Sequence, residues 1–266
     1  MSSTFSAALR IDRNVRVRGA QRSTPVPGGI AIFREDLPTI NFLNAVLLDA
    51  PLDPRVGVAE LAALAQSCHP HARDRYLVLD DAEAAERLSP GLTRAGWVQR
   101  RTLFMAWRGE QPALDPRAEQ VSDGVLRALQ RRVYEETEFP ATAPEGLPAA
   151  LVEAQIALRS GTSSLCFGAG EGGLQSMSTL FLDEDDDGPI AMVEEVATLG
   201  EYRERGLARA VVSAAIDGAL RAGAGRIVIP TDAEDWPQLL YAKLGFEPLG
   251  SSVSFMLSGG SGSHGV

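Results

Sequence analysis

The sequence predicts an α/β fold built on a mixed sheet and divided into two halves of similar plan. Short β-prone runs, such as residues 30–33, 76–79, 190–199 and 226–230, alternate with segments of helical spacing. A stretch rich in proline and charge, residues 110–116, separates the halves. One order of elements also occurs twice. Residues 76–80, a helix, Ala95-Gly96-Trp97 and a strand ending Leu103-Phe104-Met105 parallel residues 227–232, a helix, Leu244-Gly245-Phe246 and a strand ending Ser254-Phe255-Met256.

Along the chain, residues 1–28 are polar and Arg-rich and read as an irregular lead-in or an edge strand. A strand over 30–33 and an apolar run over 42–48 follow. Residues 58–65 (VAELAALA) have helical spacing, 76–79 form a strand, a helix rich in Ala and Glu starts at Asp81, and 101–107 close the first half as a strand. The second half opens with helices over 121–136 and 149–159, joined by a Pro/Ala loop. It continues as three strands, helix, strand, helix, strand. Units are expected over 1–112 and 113–258, with a Gly/Ser tail over 259–266 that has nothing to bury.

A net charge of −10 over 266 residues argues against a nucleic-acid or anionic-membrane partner, either of which needs a basic surface. No stretch approaches the length of a membrane span, and the N-terminus lacks an apolar signal core, so a cytoplasmic protein is expected. Cys68 and Cys166 cannot form a disulfide framework. Cys68-His69-Pro70-His71 has no fourth ligand nearby and reads as a surface turn, so no metal site is expected there. The sequence leaves monomer and homodimer open.

Residues 189–206 (PIAMVEEVATLGEYRERG) carry the strongest chemical signal. A buried strand runs into a polar turn, Gly200 to Gly206. A helix then begins at Leu207 with Ala208, Val211, Val212, Ala215, Ile216 and Ala219 on its apolar face and Arg209, Ser213 and Asp217 opposite. The first amides of a helix lack partners, and its dipole favours an anion there. Gly206 permits close approach, and Arg203 and Arg205 add charge, so a diphosphate would fit; arginines on an ordinary solvated helix start are the alternative. The second signal is the strand at 226–230, then a helix capped by Asp235 that carries Tyr241 at the edge of its apolar face and ends at Gly245.

Together, in this order, these pieces resemble the GNAT superfamily of acyl-coenzyme A-dependent N-acetyltransferases. The resemblance rests on Arg203-Glu204-Arg205-Gly206-Leu207-Ala208 at the strand-to-helix turn and on Tyr241-Ala-Lys-Leu-Gly245-Phe246. It implies two GNAT-like units, the first degenerate and non-catalytic, and transfer of an acetyl group from acetyl-CoA to an amine by direct attack. It further implies that backbone groups of Val196, Ala197 and Thr198 pair with the pantetheine arm and that an amide near Val196 polarises the thioester. Amides from Arg203 to Ala208 would cradle the pyrophosphate, and Tyr241 would protonate the leaving thiolate. The base is expected among Glu194 and Glu195; strand alternation favours Glu194, on the face of Met192 and Val196. Two departures stand out: Glu204 and Gly200 occupy positions where many members have glycine and proline. In the first half, Leu92 stands in the place of Tyr241, and no phosphate-turn motif precedes residue 76.

Two other readings compete. A non-catalytic acyl-CoA binding module would use the same turn without chemistry. Separately, Asp183-x-Asp185-x-Asp187-Gly188 followed by Glu194 fits a calcium-loop string, although the flanking segments read as strands rather than the helices such a loop needs.

Overall fold

The structure, a computed structural model, describes residues 3–49 and 51–259, so the expected tail lies outside the described residues from 260 onward. It opens on a helix, α1 (Ser3–Gly19), where the sequence suggested an irregular lead-in. Val15-Arg16-Val17-Arg18 alternates with the period of a strand, which masks the helical spacing of Phe5, Ala8, Ile11 and Val15 that α1 buries. The edge strand part of that expectation holds as β1 (Arg22–Val26). There follow β2 (Gly29–Phe33), β3 (Ala45–Leu48), α2 (Val58–Cys68), β4 (Asp74–Leu79), α3 (Ala82–Arg94) and β5 (Val98–Trp107). Asp81 caps α3, accepting from the amides of Glu83 and Ala84.

The second half adds a short edge strand that sequence reasoning missed, β6 (Ala118–Val121), then α4 (Asp123–Glu136) and α5 (Leu147–Gly161). Next come β7 (Ser164–Ala169), β8 (Ser176–Asp185), β9 (Gly188–Thr198), α6 (Leu207–Arg221), β10 (Arg226–Asp232), α7 (Pro237–Lys243) and β11 (Phe246–Ser258). The fold is therefore mixed α/β, as the sequence predicts.

All strands join one sheet in the order β1-β2-β3-β4-β11-β5-β10-β9-β8-β7-β6. Only β3 with β4, and β9 with β10, run parallel. The repeat read from the sequence is visible as an approximate twofold relation about the β11–β5 boundary. Gly96 and Gly245 share a φ of +88°, and Trp97 and Phe246 behind them are both 2% exposed. Each half's last strand is inserted between the last two strands of the other. β5 lies between β10 and β11, and β11 lies between β4 and β5.

Helices α2, α3, α6 and α7 cover one face. There Leu61 and Leu88 pack on Leu77 and Phe255, and Val212 and Ile216 pack on Val193 and Ile227. Helices α1, α4 and α5 cover the other, where Phe5, Ile11 and Leu158 meet Phe104, Met192 and Val228. Of the expected solvent face of α6, Arg209 is exposed, but the rest is closed. Ser213 and Asp217 are buried, and Asp217 pairs with Arg221 at 2.9 Å and accepts from Gln111 of the inter-half segment at 3.1 Å. The spacing could not reveal this cover, because it comes from a remote loop. On this helix, a Cβ at Gly218 would sit 2.6 Å from Phe167 Cζ. Gly218→Ala is expected to destabilise the fold by about 1–3 kcal/mol through overpacking, read as a lower Tm.

Candidate active site

The parallel pairing of β9 with β10 covers only Ile190–Met192 against Arg226–Val228. Beyond that point β9 continues to Thr198 against β8, and β10 continues to Asp232 against β5. The pairing of the two strands stops there, which leaves a notch between them. The outer edge of Val196, Ala197 and Thr198 borders it. Ser176 fixes this stretch from the β8 side, donating to the Ala197 carbonyl at 3.0 Å and meeting the Thr198 hydroxyl at 2.9 Å.

A bulge interrupts β9 beside the notch. Thr179 pairs with Glu194 and Met177 with Ala197, so Glu195 and Val196 together oppose the single residue Ser178. Glu195 takes a left-handed φ of +57°. This breaks the strict alternation used to separate the two glutamates, so Val196 no longer follows the face of Glu194 by count. The glutamates part all the same. Glu195 is turned into the protein, where Gln130 (2.6 Å), Tyr134 (2.8 Å), Arg159 and Thr179 (both 3.3 Å) donate to it. Burial raises its pKa, while these donors oppose the rise. Glu194 accepts from the Glu195 amide at 3.3 Å. Burial, then the charge of Asp12, push its carboxyl up to about 8 against the opposing pull of Arg16.

At the mouth of the notch, a 3₁₀ turn over Gly200–Tyr202 leads to Gly206 and α6. The first backbone bond of the helix runs from the Ala210 amide to the Gly206 carbonyl. None of the amides from Glu204 to Arg209 has a backbone acceptor among the described residues. Gly206 has φ +79°, and a Cβ there would meet only Arg117, at 3.7 Å, so the approach is open. Glu204 takes φ +64°, a left-handed backbone that a glycine adopts more readily, at the position where many members of the resembled family have glycine. Glu195 and Glu204 are the only non-glycine residues with positive φ among the described residues, and both lie at this site. Arg203 folds back to the Thr198 carbonyl at 3.4 Å, and Arg205 to the Glu201 carbonyl at 3.0 Å.

Tyr241, expected at the edge of the core, is 6% exposed and packs edge-on to Phe246. It sits close enough to Glu194 for that carboxylate's charge, after burial, to raise the phenol pKa; Asp235 adds to the rise. The fold thus brings Tyr241 within electrostatic reach of Glu194, 47 residues earlier in the chain.

Sequence reasoning missed two contributors. Helix α1 of the first half places the Asp12–Arg16 pair, bonded at 3.0 Å, beside Glu194; nothing in the local sequence announces a contact across so many residues. Arg117 braces the turn before α6 by donating to the Arg205 carbonyl at 3.3 Å, and its own charge is shared with Asp115 and Glu171.

The calcium string takes another form. Asp183 to Gly188 is the β8–β9 hairpin, with no flanking helices. Asp183 accepts from Asn14 (2.8 Å) and Arg18 (2.9 Å), and Asp185 pairs with Arg10 and Arg226, so these carboxylates tie the hairpin to α1 and β10. The counterpart of the β9–β10 pair in the first half is β3 with β4, whose pairing ends with the Asp80 amide donating to the Leu48 carbonyl at 3.0 Å. Its turn ends Pro54-Arg55-Val56-Gly57 before α2, a positional counterpart that the sequence alone did not reveal. There the carboxylate of Glu60 already accepts from the Gly57 amide at 3.0 Å. Leu92, in the place of Tyr241, is fully buried.

Residues 131–246 match the Acetyltransferase (GNAT) family. The chain carries a GNAT acetyltransferase domain. Among solved structures, the GNAT-bearing chain is similar in fold to a GCN5-related N-acetyltransferase from Kribbella flavida, at 20% identity and TM-score 0.62 over 95% of this chain and 96% of that one. It is similar to a functionally unknown conserved protein from Staphylococcus epidermidis, at 11% identity and TM-score 0.66 over 88% and 92%. A tandem GNAT protein from the clavulanic acid biosynthesis pathway aligns at 16% identity and TM-score 0.53 over 82% and 76%. Among the curated proteins no relative matches. No helix among the described residues is long and apolar enough to cross a membrane.

Proposed function

We propose that the second half transfers an acetyl group from acetyl-CoA to a primary amine in a ternary complex, and that the first half is a non-catalytic partner. The observation that carries this is the notch between β9 and β10. Unpaired amides and arginines at one end suit a pyrophosphate, and Glu194 with Tyr241 stands at the other. The strand edge at Val196 to Thr198 runs between them and would take the pantetheine arm.

In this reading the cosubstrate supplies the activated thioester. The amides from Arg203 to Ala208, with Arg203 and Arg205, hold the diphosphate. Glu194 takes a proton from the incoming ammonium, directly or through water, and leaves a neutral nucleophile. The amide of Val196 meets the developing oxyanion. Collapse of the tetrahedral adduct breaks the carbon–sulfur bond, and Tyr241 protonates the departing sulfur. The second proton of the amine nitrogen restores the phenol through water, so that one proton in all leaves from Glu194 to solvent. The raised pKa of Tyr241 keeps the phenol protonated until the thiolate departs. On the first half, the Glu60 carboxylate already takes the Gly57 amide at the start of α2, where an anion would otherwise bind.

Calorimetry with acetyl-CoA, followed by thiol release against a panel of primary amines, tests the proposal. Saturable uptake with amine-dependent release of coenzyme A is the expected result. Uptake without release from any amine would favour a silent acyl-CoA binder, and no uptake would end both readings. Calcium with a chelator control should leave Tm unchanged, because Asp183 and Asp185 are already paired.

A further inference from the structure

Glu195 is placed unlike a base. It lies at the bulge of the reacting strand, in a left-handed backbone conformation that a glutamate does not favour. Four donors from three other elements converge on its carboxylate: Gln130 and Tyr134 of α4, Arg159 of α5 and Thr179 of β8. Arg159 is itself fixed. Its side chain is 4% exposed, and it donates to Asp123 at 2.7 Å and to Gln130 at 3.0 Å. The network therefore joins the start of α4, its middle and the end of α5 to one backbone position on β9.

We propose that Glu195 and Arg159 are positioning residues: the buried carboxylate clamps the β9 bulge so that the Val196 amide is presented to the thioester carbonyl in the notch. The proposal rests on the acetyl-CoA reading above. Its physical basis is that a bulge with a left-handed non-glycine residue persists only where its surroundings over-determine it. A charge-assisted set of bonds to a buried carboxylate does this more strongly than neutral bonds would. The same bulge directs the Glu195 amide to the Glu194 carboxylate, so one clamp sets both the oxyanion donor and the orientation of the proposed base. It also gives α4 and α5 a purpose beyond packing. Their inner faces carry Gln130 and Arg159, buried polar side chains whose bonds end on the reacting strand.

The test reads the carbonyl itself. The full-length protein is mixed with acetyl-CoA labelled with ¹³C at the thioester carbonyl, and the infrared stretch of the bound form is compared with the free form. In the parent chain a donor at the carbonyl lowers the frequency. Arg159→Met is expected to lose most of that downshift. Tyr134→Phe, which removes one of the four bonds to Glu195 and retains the ring, is expected to lose part of it. In both variants the Kd for acetyl-CoA should stay within about threefold of the parent's, because the phosphate turn is untouched. With an active amine, kcat should fall about 100-fold for Arg159→Met, the cost of a displaced donor, and roughly tenfold for Tyr134→Phe. A lower Tm with an unchanged carbonyl frequency in either folded variant would make the network merely structural and overturn the inference alone. Absence of acetyl-CoA uptake by the parent chain would overturn it together with the reading on which it rests.

Discussion

Tyr241→Phe is expected to lower kcat by about 100-fold while the Kd for acetyl-CoA stays near the parent value. The ring is buried against Phe246, and phenylalanine fills the same space, so neither fold nor notch should change. Only the proton donor is removed. Burial and the nearby Glu194 charge hold the phenol protonated, which is the state a leaving thiolate requires. Pre-steady-state thiol release separates the outcomes. A slowed chemical step with normal binding supports the assignment, and unchanged turnover removes Tyr241 from the mechanism.

The second large effect is on pH dependence. Glu194 has its carboxyl raised to about 8, so its deprotonated form, the one able to accept a proton, becomes dominant only above that pH. kcat/KM should therefore rise with pH and level off beyond about 8. The groups acting on Glu194 are Asp12 and Arg16 from α1 and Glu195 beside it. Asp12→Asn removes a negative charge that disfavours ionisation, so the midpoint should fall; Arg16→Gln removes a positive charge, so it should rise. The amine acceptor titrates too, but its own pKa does not follow a substitution on α1. Glu194→Gln should lose roughly 100-fold or more in kcat. A midpoint that ignores Asp12→Asn would sever the first half from the chemistry.

The fold was legible where patterns are local. Residues 30–33, 58–65 and 226–230 read correctly because their apolar spacing matches the element they form. The paired glycines at 96 and 245 mark the repeat because only a residue free of Cβ strain turns that corner readily. Legibility failed where distant chain decides the outcome. The α1 helix is hidden by alternating Val and Arg, and Asp217 on the outer face of α6 is met by Gln111 from a loop. The candidate site divides along the same line. The turn from Arg203 to Ala208 and Tyr241 could be picked out from the string. The separation of Glu194 from Glu195 could not be derived by alternation, because a bulge stands between them. Asp12 and Arg16 were out of reach, since no short window contains both them and Glu194.

The insertion of each closing strand into the opposite half has a consequence for any attempt to simplify this protein. Severing the chain near residue 112 would not release two finished bodies. Each fragment would lack the ribbon that stitches its final pair together, and would show unsatisfied peptide groups along the gap. The first half is thus woven into the fabric of the second, and neither can be trimmed away as mere ballast.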